Sequence, residues 1–208
     1  AGRDLGGYLL NEDLSRARII RHFGADGRFR TMTGRELAIP AWIADQVASF
    51  YALPLAELAK TRGAIKDILY DARAVDKPKL RGLLAFIDGN LAFDLFRRID
   101  EAKIGLSTGQ SARVAYAVPP HVAFEETIGR GEFEAIIAPR VAQARALVLA
   151  ALGDAGLDTA AVSRIVRVGG SSRVPAFVAM LEELFPGRVE EGAVFTSIAS
   201  GLIEADAR

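Results

Sequence analysis

The spacing of apolar residues predicts that residues 36–106 are largely helical. Apolar side chains recur there every three or four positions, and Pro54 and Pro78 mark breaks in the pattern. The longest stripe consists of Leu80, Leu83, Leu84, Ile87, Leu91, Leu95 and Ile99. The aromatic residues of this stretch are expected in the core rather than in a binding groove: Trp42, Phe50, Tyr51, Phe86, Phe93 and Phe96.

An alternating pattern then predicts a β-hairpin. The segments Ala112–Val118 and Val122–Ile128 alternate between apolar and polar residues, and the two prolines between them turn the chain. A second long apolar stripe follows and predicts a helix that ends near Gly153. Because Pro139 lies inside this stripe, we expect it to kink or divide the helix.

After residue 163 the pattern predicts a strand, a glycine turn and a helix. The strand residues are Ile165, Val166 and Val168. Gly169 and Gly170 allow positive φ and a close approach to the backbone, while Ser171 or Ser172 is expected to cap a helix with Pro175 in its first turn. Ligands of open α/β sheets bind at such turns, although a connection without a ligand carries similar weight for a generic turn.

Composition and charge narrow the classes of protein. The chain has 208 residues, half of them hydrophobic, which suffices for one substantial core or two small ones. With 26 basic and 26 acidic side chains, its zero net charge gives no electrostatic case for nucleic acid or an anionic membrane. The lack of cysteine fits a reducing cytosol, and we expect no membrane span or signal peptide. Because the chain begins with Ala1 rather than Met, we expect a trimmed chain or a piece of a longer one.

Basic residues are concentrated between positions 14 and 35. A solvated face is favoured over a polyanion site, because no aromatic stripe is interleaved with the basic residues. Asp26-Gly27, between two short runs, predicts a hairpin turn. His22 has no evident partner, and we interpret it as a structural or surface residue.

Asp100, Lys103 and Ser107 stand at steps of three and four residues, so they share one face of a predicted helix. An acid, an amine and a hydroxyl on one face offer acceptors and donors to a ribose or a purine edge. Most such trios are merely solvated, so the pattern alone is weak.

The string Val-Gly-Gly-Ser-Ser-Arg-Val-Pro, from Val168 to Pro175, resembles the adenosine motif of the seventy-kilodalton heat-shock chaperones. These are the DnaK-like members of the actin-like ATPase superfamily, and their motif is Val-Gly-Gly-Ser-Thr-Arg-Ile/Val-Pro. The segment from Asp100 to Ser107 is similar to a second adenosine-contacting segment of that family, Glu/Asp-X-X-Lys-X-X-Leu-Ser. The resemblance implies ribose binding by Asp100 and Lys103 and adenine binding by Ser107. The full implied set is Asp100, Lys103, Ser107, Gly169, Gly170, Ser171 and Arg173.

The same resemblance implies an α/β fold, namely the second lobe of an actin-like (ribonuclease-H-like) ATPase with a largely helical inserted subdomain. Residues 1–107 would form the mostly helical subdomain, and residues 108–208 the α/β subdomain that carries the adenosine motif. Gly2–Leu5 fits the family segment that opens the second lobe, so we expect a fragment without the first lobe. A short, YegD-like subfamily without a peptide-binding domain ends at this point of the fold.

Two departures from the family bear on function. The family's Asp-X-Gly-Thr-Thr phosphate loop, its second glycine-rich loop and its first-lobe lysine do not occur here. Phe195 replaces an acid that lies near the nucleotide in the family, just before a final helix predicted over Thr196–Ala205. We therefore expect no ATPase activity from this chain alone.

The resulting prediction is the ATP-binding lobe of a heat-shock-70-like cytoplasmic chaperone, which holds the adenosine half of ATP or ADP. Mg²⁺ would be held by the missing lobe. The implied partners are that first lobe and a co-chaperone or nucleotide-exchange protein, with neither nucleic acid nor membrane. The alternative is a non-enzymatic protein-interaction module that kept the fold of the lobe and lost nucleotide binding.

Overall fold

The computed structural model describes residues 6–49 and 55–192, and the chain there is mixed helix and sheet. The helices are α1 (Gly7–Leu14), α2 (Ala41–Ala48), α3 (Leu55–Asp71), α4 (Lys77–Asp88), α5 (Ala92–Thr108), α6 (Arg130–Asp154) and α7 (Pro175–Leu184). The strands are β1 (Arg28–Arg30), β2 (Glu36–Ala38), β3 (Ser111–Val118), β4 (Val122–Gly129), β5 (Ile165–Arg167) and β6 (Val189–Glu191). The interpretations of Gly2–Leu5, Phe50, Tyr51, Phe195 and Thr196–Ala205 fall outside the described residues.

Helices α1 to α5 and the β3–β4 hairpin enclose one hydrophobic core. The predicted apolar stripe is confirmed, since Leu80, Leu83, Leu95 and Ile99 are fully buried. Of the aromatic residues, Phe86 and Phe96 are buried as predicted, but Trp42 and Phe93 are 41% and 71% exposed. For Phe93 the cause is helical geometry, because a step of two residues from Leu95 leads to the opposite side of α5.

The predicted hairpin is confirmed. Strands β3 and β4 pair antiparallel from Ser111–Gly129 to Val118–Val122, and alternate side chains are buried. Helix α5 joins the hairpin through the Tyr116 hydroxyl, which donates to the Leu91 carbonyl at 2.9 Å. Helix α4 also approaches closely, because a Cβ at Gly82 would collide with Val122.

One local prediction is wrong, and a second is wrong in part. Asp26-Gly27 precedes a hairpin instead of forming its turn, since β1 and β2 both follow it and residues 31–35 connect them. Helix α6 is continuous from Arg130 to Asp154, so Pro139 does not divide it, and the predicted kink stays a prediction. Contacts on both sides hold it together, with Phe133 and Ile137 buried before the proline and Arg140 bound to Asp13 after it.

Helix α6 bears on the expectation about membrane spans without contradicting it. Among the described residues it is the one helix whose length and composition would allow it to cross a membrane, which is weak evidence by itself. Its arginines contact protein on two sides. Arg140 donates to Asp13 of α1, and Arg145 lies 2.9 Å from Glu183 of α7.

The strand, turn and helix predicted after residue 163 are present as β5, a 3₁₀ turn (Gly170–Arg173) and α7. Strands β5 and β6 pair in parallel. We call residues 6–137 the closed half and residues 138–192 the open layer. In the open layer the buried hydrophobic side chains are Val174, Met180 and Phe185, whereas Val166 and Val168 are each 49% exposed.

Candidate functional site

The trio on α5 forms one connected stripe. The Lys103 ammonium lies 2.5 Å from Asp100 Oδ1 and donates to the Gly7 carbonyl at 3.4 Å. The Ser107 hydroxyl donates to the Lys103 carbonyl at 3.3 Å. The helical spacing therefore produces the common face that the sequence predicts.

Asp100 and Lys103 already satisfy each other. Lys103 is buried, and Asp100 also accepts from the Asn11 side chain at 3.2 Å. Partial burial would raise the pKa of Asp100, but the hydrogen bonds from Lys103 and Asn11 outweigh it and hold that pKa below its usual value. The carboxyl is therefore an anion at neutral pH and can accept further hydrogen bonds.

The turn after β5 has its own internal hydrogen bonds. Gly169 has φ of +87°, a conformation that favours glycine. The Ser172 hydroxyl donates to the Gly169 carbonyl at 2.7 Å. The expected serine cap of α7 is wrong, because the 3₁₀ turn carries both serines out of the cap position and Val174 occupies it without a side-chain cap.

A cleft of about 570 Å³ lies between the end of α5 and this turn, and we call it the α5 cleft. It is lined by Ile104, Ser107, Thr108, Arg167, Gly170, Arg173, Val178 and Glu191. Three predicted site residues, Ser107, Gly170 and Arg173, thus meet from segments more than 60 positions apart in the sequence. The volume lies within the range of about 300–1,000 Å³ that is typical of small-molecule sites.

The other predicted residues lie beside this cleft. Asp100 and Lys103 line a second cleft of about 400 Å³ together with Gly7, Tyr8, Asn11, Phe93, Phe96 and Arg97. Ser171 stands near the junction, since a Cβ at Gly7 would collide with its hydroxyl and lie 3.4 Å from the Lys103 ammonium. Gly169 shapes the turn and lines neither cleft.

Sequence reasoning missed two charged residues that line the α5 cleft, Arg167 and Glu191. Arg173 donates through Nε to Glu191 Oε1 at 2.6 Å, and its Nη2 is equally close to that oxygen. Arg167 donates through Nη1 to the Ser172 carbonyl at 2.6 Å. The sequence signal that could have found them is a charged residue at the end of each of two very short strands, Ile-Val-Arg and Val-Glu-Glu.

Basic residues of the segment between positions 14 and 35 form ion pairs within the fold. Glu126 of β4 is 5% exposed and is contacted by Arg18, Arg21 and His22, whose Nε2 lies 2.6 Å away. Burial would raise the pKa of Glu126, but hydrogen bonds from Arg21, His22 and Arg18 lower it to about 2. His22 also stacks on Phe124. It therefore has the structural role expected, with a partner that its local sequence did not reveal.

Among residues 6–49 and 55–192, no group of three or more histidine or carboxylate side chains is placed to hold a metal ion. The side chains that line the α5 cleft offer hydroxyls, guanidinium groups, one carboxylate and the apolar surfaces of Ile104 and Val178.

Comparison with known proteins assigns the family. The sequence model described as Hsp70 protein matches residues 88–194, just over half of the chain and a range that includes the whole α5 cleft. The chain belongs to the Hsp70 family. This confirms the resemblance on which the sequence analysis relied, and it implies the actin-like ATPase fold of a nucleotide-binding chaperone family.

Individual Hsp70 relatives agree with this assignment. A chaperone protein HscA homolog from Azotobacter vinelandii is 35% identical over 104 residues, which are 50% of this chain and 16% of that protein. The chaperone protein DnaK of Thermus thermophilus is 31% identical over 130 residues, covering 55% of this chain and 21% of the relative. The chain therefore spans about a fifth or less of the length of these relatives.

Proposed function

We propose that the chain is the second lobe of an Hsp70-type nucleotide-binding domain and that it holds the adenosine half of ATP or ADP. The α5 cleft is the observation that supports this proposal, since it is lined by Ser107 of one implied adenosine segment and by Gly170 and Arg173 of the other. In this proposal residues 1–107 form the mostly helical subdomain. Residues 108–208 form the α/β subdomain.

The chemistry of the α5 cleft suits a purine nucleoside. Ile104 and Val178 supply apolar surface, the Ser107 hydroxyl can donate or accept, and Arg173 offers a guanidinium face for a ring. Asp100 and Lys103 complete the site from the neighbouring cleft, where the anionic Asp100 accepts from ribose hydroxyls. Ser171 contributes from beside Gly7. Gly169 contributes through the backbone of the turn.

The magnitudes predict weak binding by this chain alone. Stacking a base contributes about 1–3 kcal/mol, and a guanidinium over a ring about 0.5–2 kcal/mol. A few hydrogen bonds at about 1 kcal/mol each complete the gross gain, from which ordering costs are subtracted. The sum is near the ~4 kcal/mol of a millimolar site.

The remaining functions require further parts of the protein. The first lobe would hold the phosphates and Mg²⁺, because the sequence lacks the family's phosphate loops. Lobe rotation would then couple ATP to a partner, either a co-chaperone or a nucleotide-exchange protein. We propose a cytoplasmic setting and no ATP hydrolysis by the isolated chain.

One observation favours a second candidate, the protein-interaction module without nucleotide chemistry. The open layer exposes apolar side chains, with Leu149, Leu157, Val166 and Val168 each between 44% and 49% exposed. Lys103, one of the implied ribose ligands, is also buried against Asp100. A protein partner that covers the open layer would use these features without any nucleotide.

A titration with a fluorescent ADP analogue distinguishes the two candidates. It is performed on this chain and on the full-length product of its gene. We expect binding by the full-length protein and a dissociation constant near millimolar, or no detectable binding, for the chain alone. Absence of binding by both proteins would refute the nucleotide role in favour of the interaction module. Micromolar binding by the chain alone would mean that the phosphate site has been misplaced.

A further inference from the structure

Glu191 belongs to neither implied adenosine segment, yet it fixes the side chain that those segments contribute to the cleft. Both Nε and Nη2 of Arg173 lie 2.6 Å from Glu191 Oε1. These contacts use N–H groups at the edge of the planar guanidinium, and the Arg173 side chain is still 55% exposed. A guanidinium held in this way can still stack on an aromatic ring.

Arg167 lies close to the same carboxylate group. It is the register partner of Glu191 in the parallel pair of β5 and β6, and its Nη2 lies 4.0 Å from Glu191 Oε2. Its side chain is 11% exposed, and its Nη1 holds the Ser172 carbonyl of the turn at 2.6 Å. One mostly buried arginine thus links the strand, the carboxylate and the turn that carries Arg173.

The Nε of Arg167 is buried and has no hydrogen-bond partner among the described residues, although Arg167 lines the α5 cleft. A buried donor left unpaired is costly, so the arrangement must be stabilised by the other contacts of Arg167. Those contacts are with the carbonyl of Ser172, the residue before Arg173, and with Glu191, which binds the Arg173 side chain.

We propose that Arg167 and Glu191 are positioning residues that hold the Arg173 guanidinium as one wall of the α5 cleft and thereby set its affinity for the base. This inference rests on the proposed nucleotide function. The physical reason is preorganisation: a free arginine loses rotamer freedom when it stacks, whereas one already held by Glu191 loses less. Ile104, on α5, supplies apolar surface on the other side of the cleft.

The test is a double-mutant cycle in the full-length protein, with a fluorescent ADP analogue as the probe. Arg173→Ala should weaken binding by about tenfold, and Glu191→Gln by about three- to fivefold. The double variant should bind no more weakly than Arg173→Ala, since Glu191 acts only through Arg173. Glu190→Gln is the matched control, because Glu190 is the adjacent carboxylate on β6, lies 3.9 Å from the exposed Arg164 and does not line the α5 cleft.

A second readout needs no ligand. In the isolated chain, the Arg173 Nε–H signal in a ¹⁵N–¹H spectrum should shift in Glu191→Gln and stay unchanged in Glu190→Gln. An unaltered Nε–H signal, additive losses in the cycle, or unchanged affinity of Glu191→Gln would each overturn the inference and leave the proposed function intact. Absence of binding by the wild-type full-length protein would overturn the proposed function, and this inference with it.

Discussion

Helices α5 and α6 are both long and rich in apolar residues, but they are buried to very different extents. Seven of the 17 residues of α5 are buried, against two of the 25 residues of α6, Phe133 and Ile137. Helix α5 lies in the closed half, where other helices and the hairpin surround it. Most of α6 belongs to the open layer, where it contacts α7 on one side and α1, through Arg140 and Asp13, on another. The apolar content of a helix therefore does not decide its burial, which depends on the elements available to cover it.

The contrast matters for function because the α5 cleft crosses the boundary between the two regions. Ser107 comes from the closed half, while Gly170 and Arg173 come from the open layer. Parallel sheets are normally covered on both faces. An element that covers the open layer would therefore restrict the motion of one side of the cleft. For this reason we expect stronger nucleotide binding by a longer protein.

The largest expected difference between the regions comes from one truncation made in each. Leu95→Ala, at a fully buried position of α5, should lower the free energy of unfolding by about 2–5 kcal/mol. Leu149→Ala, at a position of α6 that is 44% exposed, should change it by less than about 0.5 kcal/mol. Urea denaturation followed by circular dichroism measures both variants. Equal losses would mean that the two regions are packed alike.

The second prediction concerns Glu126 in the closed half. Its folded pKa of about 2 lies below the ordinary 4.5, so it adds stability that is present above about pH 4.5 and is lost as the pH falls towards 2. The shift corresponds to about 3 kcal/mol at neutral pH. Urea denaturation at a series of pH values should show this loss in the wild type.

The Glu126→Gln variant sharpens that test. It should be less stable at pH 7 and should lose less stability than the wild type between pH 4.5 and 2, because the linked proton is gone. Glu125→Gln is the control, since Glu125 is exposed and pairs with the exposed Arg113. A wild-type acid response in Glu126→Gln would show that other carboxyls cause it.

A third, smaller effect is expected at the boundary itself. Arg140 of α6 makes two hydrogen bonds to Asp13 of α1, at 2.6 and 2.9 Å, and both side chains are mostly buried. Asp13→Asn should therefore cost about 1–2 kcal/mol of unfolding free energy. Glu183→Gln removes the α7 partner of Arg145, an exposed pair, and should cost less than about 0.5 kcal/mol. If the two substitutions cost the same, the Asp13 contact does not anchor α6 to the closed half.

The smallest effect on stability is expected on the exposed face of the sheet. The double substitution Val166→Thr and Val168→Thr should change the free energy of unfolding by about 0.5 kcal/mol or less, since both side chains are half exposed. It should nevertheless reduce the binding of a hydrophobic dye such as ANS. A large loss of stability would show that these valines are packed in solution and that the open layer is more complete than described.

Local patterns predicted the elements of the closed half well. The stripe from Leu80 to Ile99 and the alternation of the hairpin are set by neighbouring residues, so their period alone identifies them. The pairing of His22 with Glu126 joins positions more than 100 residues apart, and no local pattern encodes it. Arg140 of α6 likewise pairs with Asp13, 127 positions away, and no local pattern indicates that contact.

The residues of the candidate site likewise include some that the sequence predicted and some that it did not. Ser107, Gly170 and Arg173 were predicted from motif resemblance, and the fold brings them to one cleft. Asp100 and Lys103 lie in the neighbouring cleft instead. Arg167 and Glu191 were not predicted, because their roles arise from the parallel register of β5 and β6 and not from their own neighbours.

Hydrogen exchange tests most directly whether the α5 cleft holds a nucleotide across the boundary. It is measured by mass spectrometry on the full-length protein with and without ADP. We expect ADP to slow exchange of the amides of Ile104–Thr108 in the closed half and of Gly170–Arg173 in the open layer, with little change in β1–β2. Protection confined to other segments, or none in either of these two, would contradict it.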